Sequence, residues 1–497
     1  MTRRSLLAID QGTSGTKAIL VDAASEILAR GFAPLGETHP EAGFVEQSPE
    51  AIWQSVRIAV AECLAAGPDA AVEAVGLSTQ RESAVLWDRL TDEALMPVLS
   101  WQDRRAAGLC AELAAHPNGA QVEALSGLPL DPMFSAAKFA WGLRHHQGVA
   151  AAARAGRLVC GTIDAWLLSR FGGEPVTEIG NASRTQLLRT ADGVWDETLC
   201  DLFGIPAGAL PALRASTGPY PATRGLDPLP DGTPVLAVMG DSHAALFAHG
   251  GFAPGTVKAT YGTGSSVMGL IPGADALGAG LCLTIGWQIG DAPPALAAEG
   301  NIRATGAALR WMARMLGMSV EAMADLGAGV RGRGAVLVPA FTGLGAPYWD
   351  QEARGLIANL TLDMGPADLA RAAMEAVGHQ VADVAEAIGG QASVARLFAD
   401  GGPSRNRALM QMQADFAGCT ILRSEAAELS ALGAAHMAGL GAGFWSLAEL
   451  AALDRRHEAL APGLPEAARQ EARAAWAAAV ARARAPAQLT KTAGRAA

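Results

Sequence analysis

Three glycine-rich turns, each after a run of apolar, strand-like residues, most constrain what this chain can fold into. They occupy residues 9–17, 260–266 and 399–406. Glycine lets backbone N–H groups approach a phosphate closely, and the Thr and Ser hydroxyls of these turns add donors. A single Gly-Thr turn is common in ordinary hairpins. Two such turns, one near the start of each half, and a third that opens into a helical stretch together predict a nucleotide held between two domains.

The length and composition are those of a globular protein with two large domains. The chain has 497 residues, of which 50% are hydrophobic and 18% charged, which is too long for one ordinary core. The net charge of −11 and the absence of a long basic run argue against nucleic acid as the main partner. Six scattered cysteines and an N-terminus without a signal-peptide pattern predict a reduced, cytoplasmic protein without structural zinc.

The order of predicted elements repeats at domain scale. Strands at 5–10, 16–22 and 26–33 form a meander, and Ser48-Pro49-Glu50 predicts the start of a helix. A second strand-rich meander begins at 255, which places the boundary between domains 1–246 and 247–497. The uncharged stretch 429–447 predicts a buried helix with small residues rather than a membrane-inserted one. Residues 487–497 are expected to fray.

Two aspartates follow predicted strands and are candidates for chemistry. Asp10 ends the first strand beside the first turn, where a carboxylate suits Mg²⁺; capping of its own turn is an equally weighted alternative. Asp241 ends the apolar strand 233–240 and is positioned for a cleft. It is also a candidate N-cap for the helix that follows, and the two roles are compatible.

Other polar residues have commonplace interpretations. Arg81 and Glu82 are adjacent in a short turn, where a surface salt bridge is the commoner arrangement. Lys138, one of four lysines, is most simply a solvated residue on a helix. His243 and the pair at 145–146 form no metal-ligand set with nearby Cys or carboxylates, and we expect them to be structural or exposed.

Taken together, these segments resemble the FGGY carbohydrate kinases, and most closely the glycerol kinase branch. The resemblance covers nearly the whole chain in order. The matching segments are 9–17, 78–82, 100–105, 126–132, 134–141, 161–166, 181–185, 240–241, 260–264, 338–344, 346–349 and 400–406. The resemblance implies an α/β protein with the two-domain actin/Hsp70/hexokinase-like (ribonuclease H-like) fold and an interdomain ATP cleft.

The resemblance also implies a role for each matching position. The implied nucleotide-binding residues are Thr13, Ser14, Gly15, Lys17, Thr263, Gly306, Arg310, Gly402 and Asn406. The implied polyol contacts are Arg81, Glu82, Trp101, Met133, Asp241, Ser242 and Ser266. Asp241 would also be the general base, and Asp10 the carboxylate associated with Mg²⁺. ATP is the implied phosphoryl donor. A homo-oligomer, either dimer or tetramer, is expected.

Three departures affect the expected acceptor. Glycerol kinases usually have Tyr at the position of Met133, Gln at Ser242 and an aromatic residue at Ser266. These changes predict a larger or differently shaped pocket. Glycerol is the first expectation, and a longer polyol or a ketose is the alternative, because residues 13–17 also resemble the xylulokinase branch. A non-sugar ATPase of the actin/Hsp70 fold is a more distant alternative.

Overall fold

A computed structural model describes residues 3–68, 70–390 and 394–484 of the chain. It contains two large β-sheets with helices packed around them. The tail at 487–497, expected to fray, lies outside the described residues.

The strands, in chain order, are β1 (Arg3–Gly12), β2 (Gly15–Asp22), β3 (Ile27–Pro34), β4 (Glu46–Gln47), β5 (Ala70–Thr79), β6 (Val85–Asp88), β7 (Val98–Leu99), β8 (Leu158–Gly161), β9 (Val176–Glu178), β10 (Leu188–Arg189), β11 (Val194–Trp195), β12 (Ala212–Arg214), β13 (Val235–Gly240), β14 (Val257–Tyr261), β15 (Ser265–Leu270), β16 (Cys282–Trp287), β17 (Ala295–Ile302), β18 (Val336–Val338), β19 (Leu356–Ala358), β20 (Arg396–Gly401), β21 (Thr420–Ser424) and β22 (His457–Leu460).

The helices are α1 (Pro49–Ala66), α2 (Ala107–Ala114), α3 (Ala120–Ser126), α4 (Ser135–His145), α5 (Gln147–Arg154), α6 (Ile163–Phe171), α7 (Ile179–Ala182), α8 (Glu197–Phe203), α9 (Asp241–Ala248), α10 (Gly306–Met315), α11 (Val320–Ala328), α12 (Pro366–Gly389), α13 (Arg407–Ala417), α14 (Leu429–Gly441), α15 (Leu447–Ala452) and α16 (Glu466–Arg484).

The first large sheet has the strand order β13-β5-β1-β2-β3. Strands β1 to β3 form the predicted antiparallel meander, while β5 and β13 are parallel to β1. Helix α1 begins where the sequence predicts, because the Ser48 side chain accepts a hydrogen bond from the Ala51 N–H. The pairing register sets Asp10 opposite Lys17 on β2 and Ser78 on β5, so three polar side chains meet at the end of the sheet.

The second large sheet repeats this arrangement, with the order β16-β17-β15-β14-β20-β21-β22. An antiparallel hairpin, β14–β15, is again followed by parallel strands, β20 and β21. Thr260 pairs with Ser266 on one side and with Asp400 on the other. The predicted repetition of a strand meander with a glycine-rich turn is therefore confirmed at the level of topology.

Helix α14 joins the C-terminal part of the chain to the first sheet. It packs against β5, β1, β13 and helix α9. The approach is close because glycines line it: a Cβ on Gly433 would overlap the Ala244 carbonyl oxygen, and one on Gly76 would overlap that of Ala434. The predicted buried small-residue helix is confirmed, although it ends at Gly441. Among the described residues, no helix combines the length and apolar character needed to cross a membrane.

Candidate functional site

The first glycine-rich turn is a tight connection between β1 and β2. Thr13 is held from two sides, because Trp101 Nε1 donates to its Oγ1 at 3.0 Å and Gln47 Nε2 donates to its carbonyl oxygen at 2.8 Å. Ser14 is exposed at the tip. A Cβ on Gly15 would lie 2.5 Å from the Ala33 carbonyl oxygen, so only glycine fits against β3. The turn therefore presents its hydroxyls from a fixed backbone.

The second turn, between β14 and β15, is held by the start of helix α10. The Gly306 N–H donates to the Gly262 carbonyl oxygen at 3.0 Å, and a Cβ on Gly306 would overlap that oxygen. Arg310, one helical turn further on, donates to Thr263 Oγ1 at 3.1 Å. The structure thus brings together three of the residues predicted to bind nucleotide: Thr263, Gly306 and Arg310.

The third turn follows β20 and leads into helix α13. Gly401 has a φ of 91°, a conformation that favours glycine, and its Cα lies against the Tyr261 backbone. Apart from its two chain neighbours, no described residue has an atom within 4 Å of the position that a Cβ on Gly402 would take, so the space there is open. Asn406 caps α13 by accepting from the Leu409 N–H at 2.9 Å.

A cavity of about 600 Å³ contacts both large sheets. Its lining includes Asp10, Lys17 and Asp241 from the first half of the chain and Lys258, Asp400 and Gly402 from the second half. Residues 423–430 form another part of its wall. Five of the residues predicted to bind nucleotide, metal or acceptor line this cavity: Asp10, Lys17, Asp241, Ser242 and Gly402. The other predicted residues do not contribute to the part of the cavity wall that the structure describes.

Asp10 is electrostatically coupled to Asp241. Burial raises the pKa of Asp10 from its usual 3.8 to about 6, and the charge of Asp241 adds to the rise, while Lys17 opposes it. Ser78 Oγ donates to Asp10 Oδ1 at 2.9 Å. A carboxylate whose charge is disfavoured by burial and by a second carboxylate nearby favours a cation beside it. Within the described residues there is no cluster of three or more His, Cys, Asp or Glu side chains arranged to hold a metal.

Arg81 and Glu82 are buried, and each forms its direct ion pair with another residue. Arg81 donates two hydrogen bonds to Glu299 on β17, both at 2.8 Å. Arg184 donates to Glu82 Oε1 at 2.6 Å and lies 3.0 Å from Glu299. The interpretation of Arg81 and Glu82 as a surface salt bridge is therefore wrong. Burial alone would raise the pKa of Glu299, but the guanidinium groups of Arg184 and Arg81 outweigh it and hold that pKa well below its usual range.

Asp241 is the first residue of helix α9, directly after β13. It accepts a hydrogen bond from Arg81 Nε at 3.2 Å and another from the Ser242 N–H at 2.6 Å. Its side chain is 39% exposed, in contrast to the buried carboxylate of Glu299. The structure thus leaves Asp241 oriented by one arginine and open to a ligand.

Ser242 and Ser266 are neighbours across the two halves. Ser242 Oγ donates to Ser266 Oγ at 3.4 Å, and Ser266 Oγ donates to Glu299 Oε1 at 2.7 Å. Lys258 Nζ lies 3.3 Å from Ser242 Oγ. These contacts connect two predicted acceptor residues to the Arg81–Glu299 pair.

Met133 lies in a different contact group from the two serines. It packs with Leu128, Phe134 and Trp349. Lys138 donates to the Met133 carbonyl oxygen and to that of Glu82, so its ammonium group joins the Met133 loop to the Arg81–Glu82 turn. The expectation of a solvated Lys138 is therefore wrong: the side chain is buried, and burial lowers its pKa to about 8.

Sequence reasoning missed Glu299, Arg184, Lys258 and the role of Lys138. Glu299 and Lys258 are the charged residues of two mainly apolar strands, which is the one local signal that could have identified them. His243 was expected to be structural or exposed, and it is buried beside Arg81 with a pKa well below its usual range because of that burial.

Comparison with known proteins matches both halves of the chain to one family. Residues 5–248 match the N-terminal domain of the FGGY family of carbohydrate kinases, and residues 257–442 match its C-terminal domain. An apulose kinase of Pectobacterium atrosepticum is 43% identical, over 96% of this chain and 98% of its own. A glycerol kinase of Paenarthrobacter aurescens is 39% identical, over 93% and 94%.

Solved structures give the same likeness. The Plasmodium falciparum glycerol kinase with ADP superposes with a TM-score of 0.91 at 26% identity, covering 97% of this chain and 98% of that one. A xylulose kinase from Rhodospirillum rubrum superposes with a TM-score of 0.84 at 26% identity, covering 96% and 99%.

Proposed function

Because the chain belongs to the FGGY family of carbohydrate kinases, it is an ATP-dependent kinase of a sugar or polyol, and we propose that its acceptor is a ketose or polyol of four or more carbons. The phosphorylated group is a terminal primary hydroxyl. The two domain matches favour this activity over that of a non-sugar ATPase with the same fold.

The observation that carries the proposal is the pair of small hydroxyl side chains at Ser242 and Ser266. They lie beside Asp241 and Glu299, at positions where the glycerol kinases have a long amide and an aromatic ring. Removing those larger side chains enlarges the acceptor side of the pocket, and a short ligand there forfeits contacts. The similarity to an apulose kinase over nearly the full length supports the same choice.

Glycerol is the second candidate. Several relatives at about 40% identity are glycerol kinases, and the acceptor end of the pocket keeps Arg81, Glu82 and Trp101. In this alternative the two serines leave room that water fills.

In the proposed mechanism, Asp241 accepts the proton of the terminal hydroxyl as its oxygen bonds to the γ-phosphorus. Arg81 orients Asp241, and Glu299 and Arg184 hold Arg81 and Glu82 in turn. General-base assistance of this kind contributes about 10²–10⁴-fold to a rate. The transition state of phosphoryl transfer is loose, so positioning and neutralisation of charge supply most of the remaining acceleration.

The nucleotide is proposed to bind through the three glycine-rich turns. Thr13, Ser14, Gly15 and Lys17 contact the phosphates from one sheet, and Thr263 contacts them from the other. Gly306 and Arg310, beside the second turn, are further nucleotide contacts, and Gly402 and Asn406 flank the nucleoside end. A triphosphate that contacts both sheets favours closure of the cleft and exclusion of water.

Mg²⁺ is proposed to be held by Asp10, with Asp241 nearby. The raised pKa of Asp10 fits this role, because a divalent cation relieves the repulsion between the two carboxylates, and carboxylate oxygens are ligands that Mg²⁺ prefers. Bound there, Mg²⁺ would neutralise charge on the triphosphate.

The test is an acceptor screen that measures ADP release with glycerol, erythritol, xylitol, xylulose, ribulose and apulose. We expect kcat/KM for at least one four- or five-carbon acceptor to exceed that for glycerol. Asp241→Asn supplies the background rate of ATP hydrolysis. A preparation that uses glycerol efficiently and ignores every longer acceptor would contradict the proposal.

A further inference from the structure

Lys258 faces the cleft from the strand that leads into the second glycine-rich turn. Residues two apart on a strand point to the same side, so Lys258 shares a face of β14 with Thr260. The cross-strand neighbours of Thr260 are Ser266 and Asp400, which places polar side chains from three strands on this face. Lys258 and Thr260 both line the cavity that contains Asp241.

The ammonium group of Lys258 is buried but bonded only to hydroxyls. Its Nζ donates to Thr260 Oγ1 at 2.7 Å and to Ser242 Oγ at 3.3 Å, and the side chain is fully shielded from solvent. Within the described residues, no carboxylate oxygen lies within 4.0 Å of this nitrogen. A buried cation without a contacting anion is costly, and burial accordingly lowers the pKa of Lys258.

The carboxylates that attract Lys258 from a distance already have contacting partners. They are Asp400, Glu299 and Asp241. Asp400 accepts from His249 at 3.2 Å, while Glu299 and Asp241 are held by arginine. Lys258 still helps from a distance to hold the pKa of Asp400 low. Within the described residues it forms no direct ion pair with any of the three carboxylates, so its ammonium group can form one with an anion that enters the cavity.

We propose that Lys258 is a catalytic residue that binds the γ-phosphoryl group of ATP and neutralises its charge during transfer. Lys17 and Lys258 supply one ammonium group from each large sheet to the same cavity. In the transfer, the bond between the γ-phosphorus and the oxygen that stays with ADP breaks, and a bond to the acceptor oxygen forms. The acceptor proton passes to Asp241, and Lys258 stays protonated throughout. This role concerns the nucleotide side of the reaction and does not depend on which acceptor is used.

The decisive measurement compares a diphosphate with a triphosphate in the absence of acceptor. Calorimetry with Mg²⁺ present gives the Kd of ADP and of β,γ-imido-ATP for the full chain and for Lys258→Met. We expect the variant to lose about tenfold or more in affinity for the triphosphate analogue, as removal of a charge-assisted contact does, with the affinity for ADP changed by less than about twofold. Its kcat should fall by about 10²–10³-fold, the range seen when one preorganised electrostatic contact is lost.

Thr260→Val is the matched control, because it removes the closer hydroxyl partner and keeps the ammonium group. It should retain the preference for the triphosphate analogue over ADP. If Lys258→Met does not fold, Lys258→Gln replaces it under the same criterion, since its amide can bond a hydroxyl without a charge. Equal weakening of both nucleotides, no weakening of either, or the same loss in Thr260→Val would overturn the proposal and leave Lys258 a structural residue.

Discussion

Arg81 and Glu299 form a buried pair with two hydrogen bonds, each 2.8 Å long, and this pair joins the two halves of the molecule. Arg81 comes from the turn after β5, in the first half, and Glu299 from β17, in the second. Because Arg81 also contacts Asp241, the position of the proposed base depends on Glu299, which lies 58 residues after Asp241 in the chain. Planar guanidinium–carboxylate pairing gives this contact a defined geometry.

We predict that Glu299→Gln destabilises the protein and raises KM for the acceptor. The substitution leaves Arg81 and Arg184 buried with too little negative charge, and breaking a buried pair in this way costs about 3–5 kcal/mol. Thermal unfolding and acceptor kinetics measure the two effects. Glu112→Gln, which removes the exposed pair with Arg144, is the control and should leave the melting temperature nearly unchanged. Equal melting temperatures for both variants would contradict the prediction.

Asp241→Asn should nearly abolish phosphoryl transfer while nucleotide binding persists. The amide can still accept the hydrogen bond from Arg81 Nε, so the local geometry is kept, but it cannot take a proton. Loss of a general base lowers kcat by about 10²–10⁴-fold. Single-turnover rates and ADP affinity, measured on the same preparation, separate the two functions. Near-normal turnover would show that another group is the base.

The raised pKa of Asp10 predicts how the stability of the protein depends on pH. Its pKa is about 6 in the folded protein and about 3.9 in an unfolded chain, so the folded state binds the carboxyl proton of Asp10 more tightly than the unfolded state does. Stability is therefore lost as the pH rises from about 4 to about 6. Asp10→Asn removes this loss and should raise the free energy of unfolding at pH 8 by about 1–3 kcal/mol, with little effect at pH 4.

The same variant tests the proposed metal site. Mg²⁺ requires the ionised carboxylate, so in the wild type its stabilising effect should weaken as the pH falls below about 6. In Asp10→Asn, Mg²⁺ should stabilise the protein little at any pH. Melting curves with and without Mg²⁺, at pH 5 and pH 8, provide the comparison. Equal stabilisation of both proteins would remove Asp10 from the metal site.

Local patterns predicted the elements that lie next to one another in sequence. The meander of β1 to β3, the start of α1 at Ser48 and the buried helix α14 follow from alternation, capping and small-residue composition. The contacts among the proposed acceptor-site residues could not be derived from such local patterns. Glu299 reaches Arg81 from 218 positions away, and nothing near either residue indicates the other.

The environment of single polar residues was the least predictable property. Lys138 has the sequence context of an exposed helical lysine, yet its ammonium group finds backbone carbonyl oxygens that only the folded Met133 loop presents. Lys258 lies in a mainly apolar strand, and its ammonium group contacts Ser242 in the helix that starts at Asp241. Burial and partner identity are tertiary properties, so the interpretations of Lys138 and of the Arg81–Glu82 pair as surface features were wrong.

The acceptor preference should change when the two serines are enlarged. In Ser242→Gln with Ser266→Phe, the added amide and ring fill the space beside Glu299 and replace the hydroxyl contacts between the serines and with Glu299. A filled pocket favours a short ligand and excludes a longer one by overlap, and one methylene of fit is worth about 1–3 kcal/mol. We expect the ratio of kcat/KM for glycerol to that for the best five-carbon acceptor to rise by about tenfold or more. Adding Met133→Tyr, in the separate group with Leu128 and Phe134, should increase the shift. The ratio is measured by ADP release at several concentrations of each acceptor, with melting temperatures to verify folding. If the double variant keeps the wild-type ratio, Ser242 and Ser266 do not determine the acceptor.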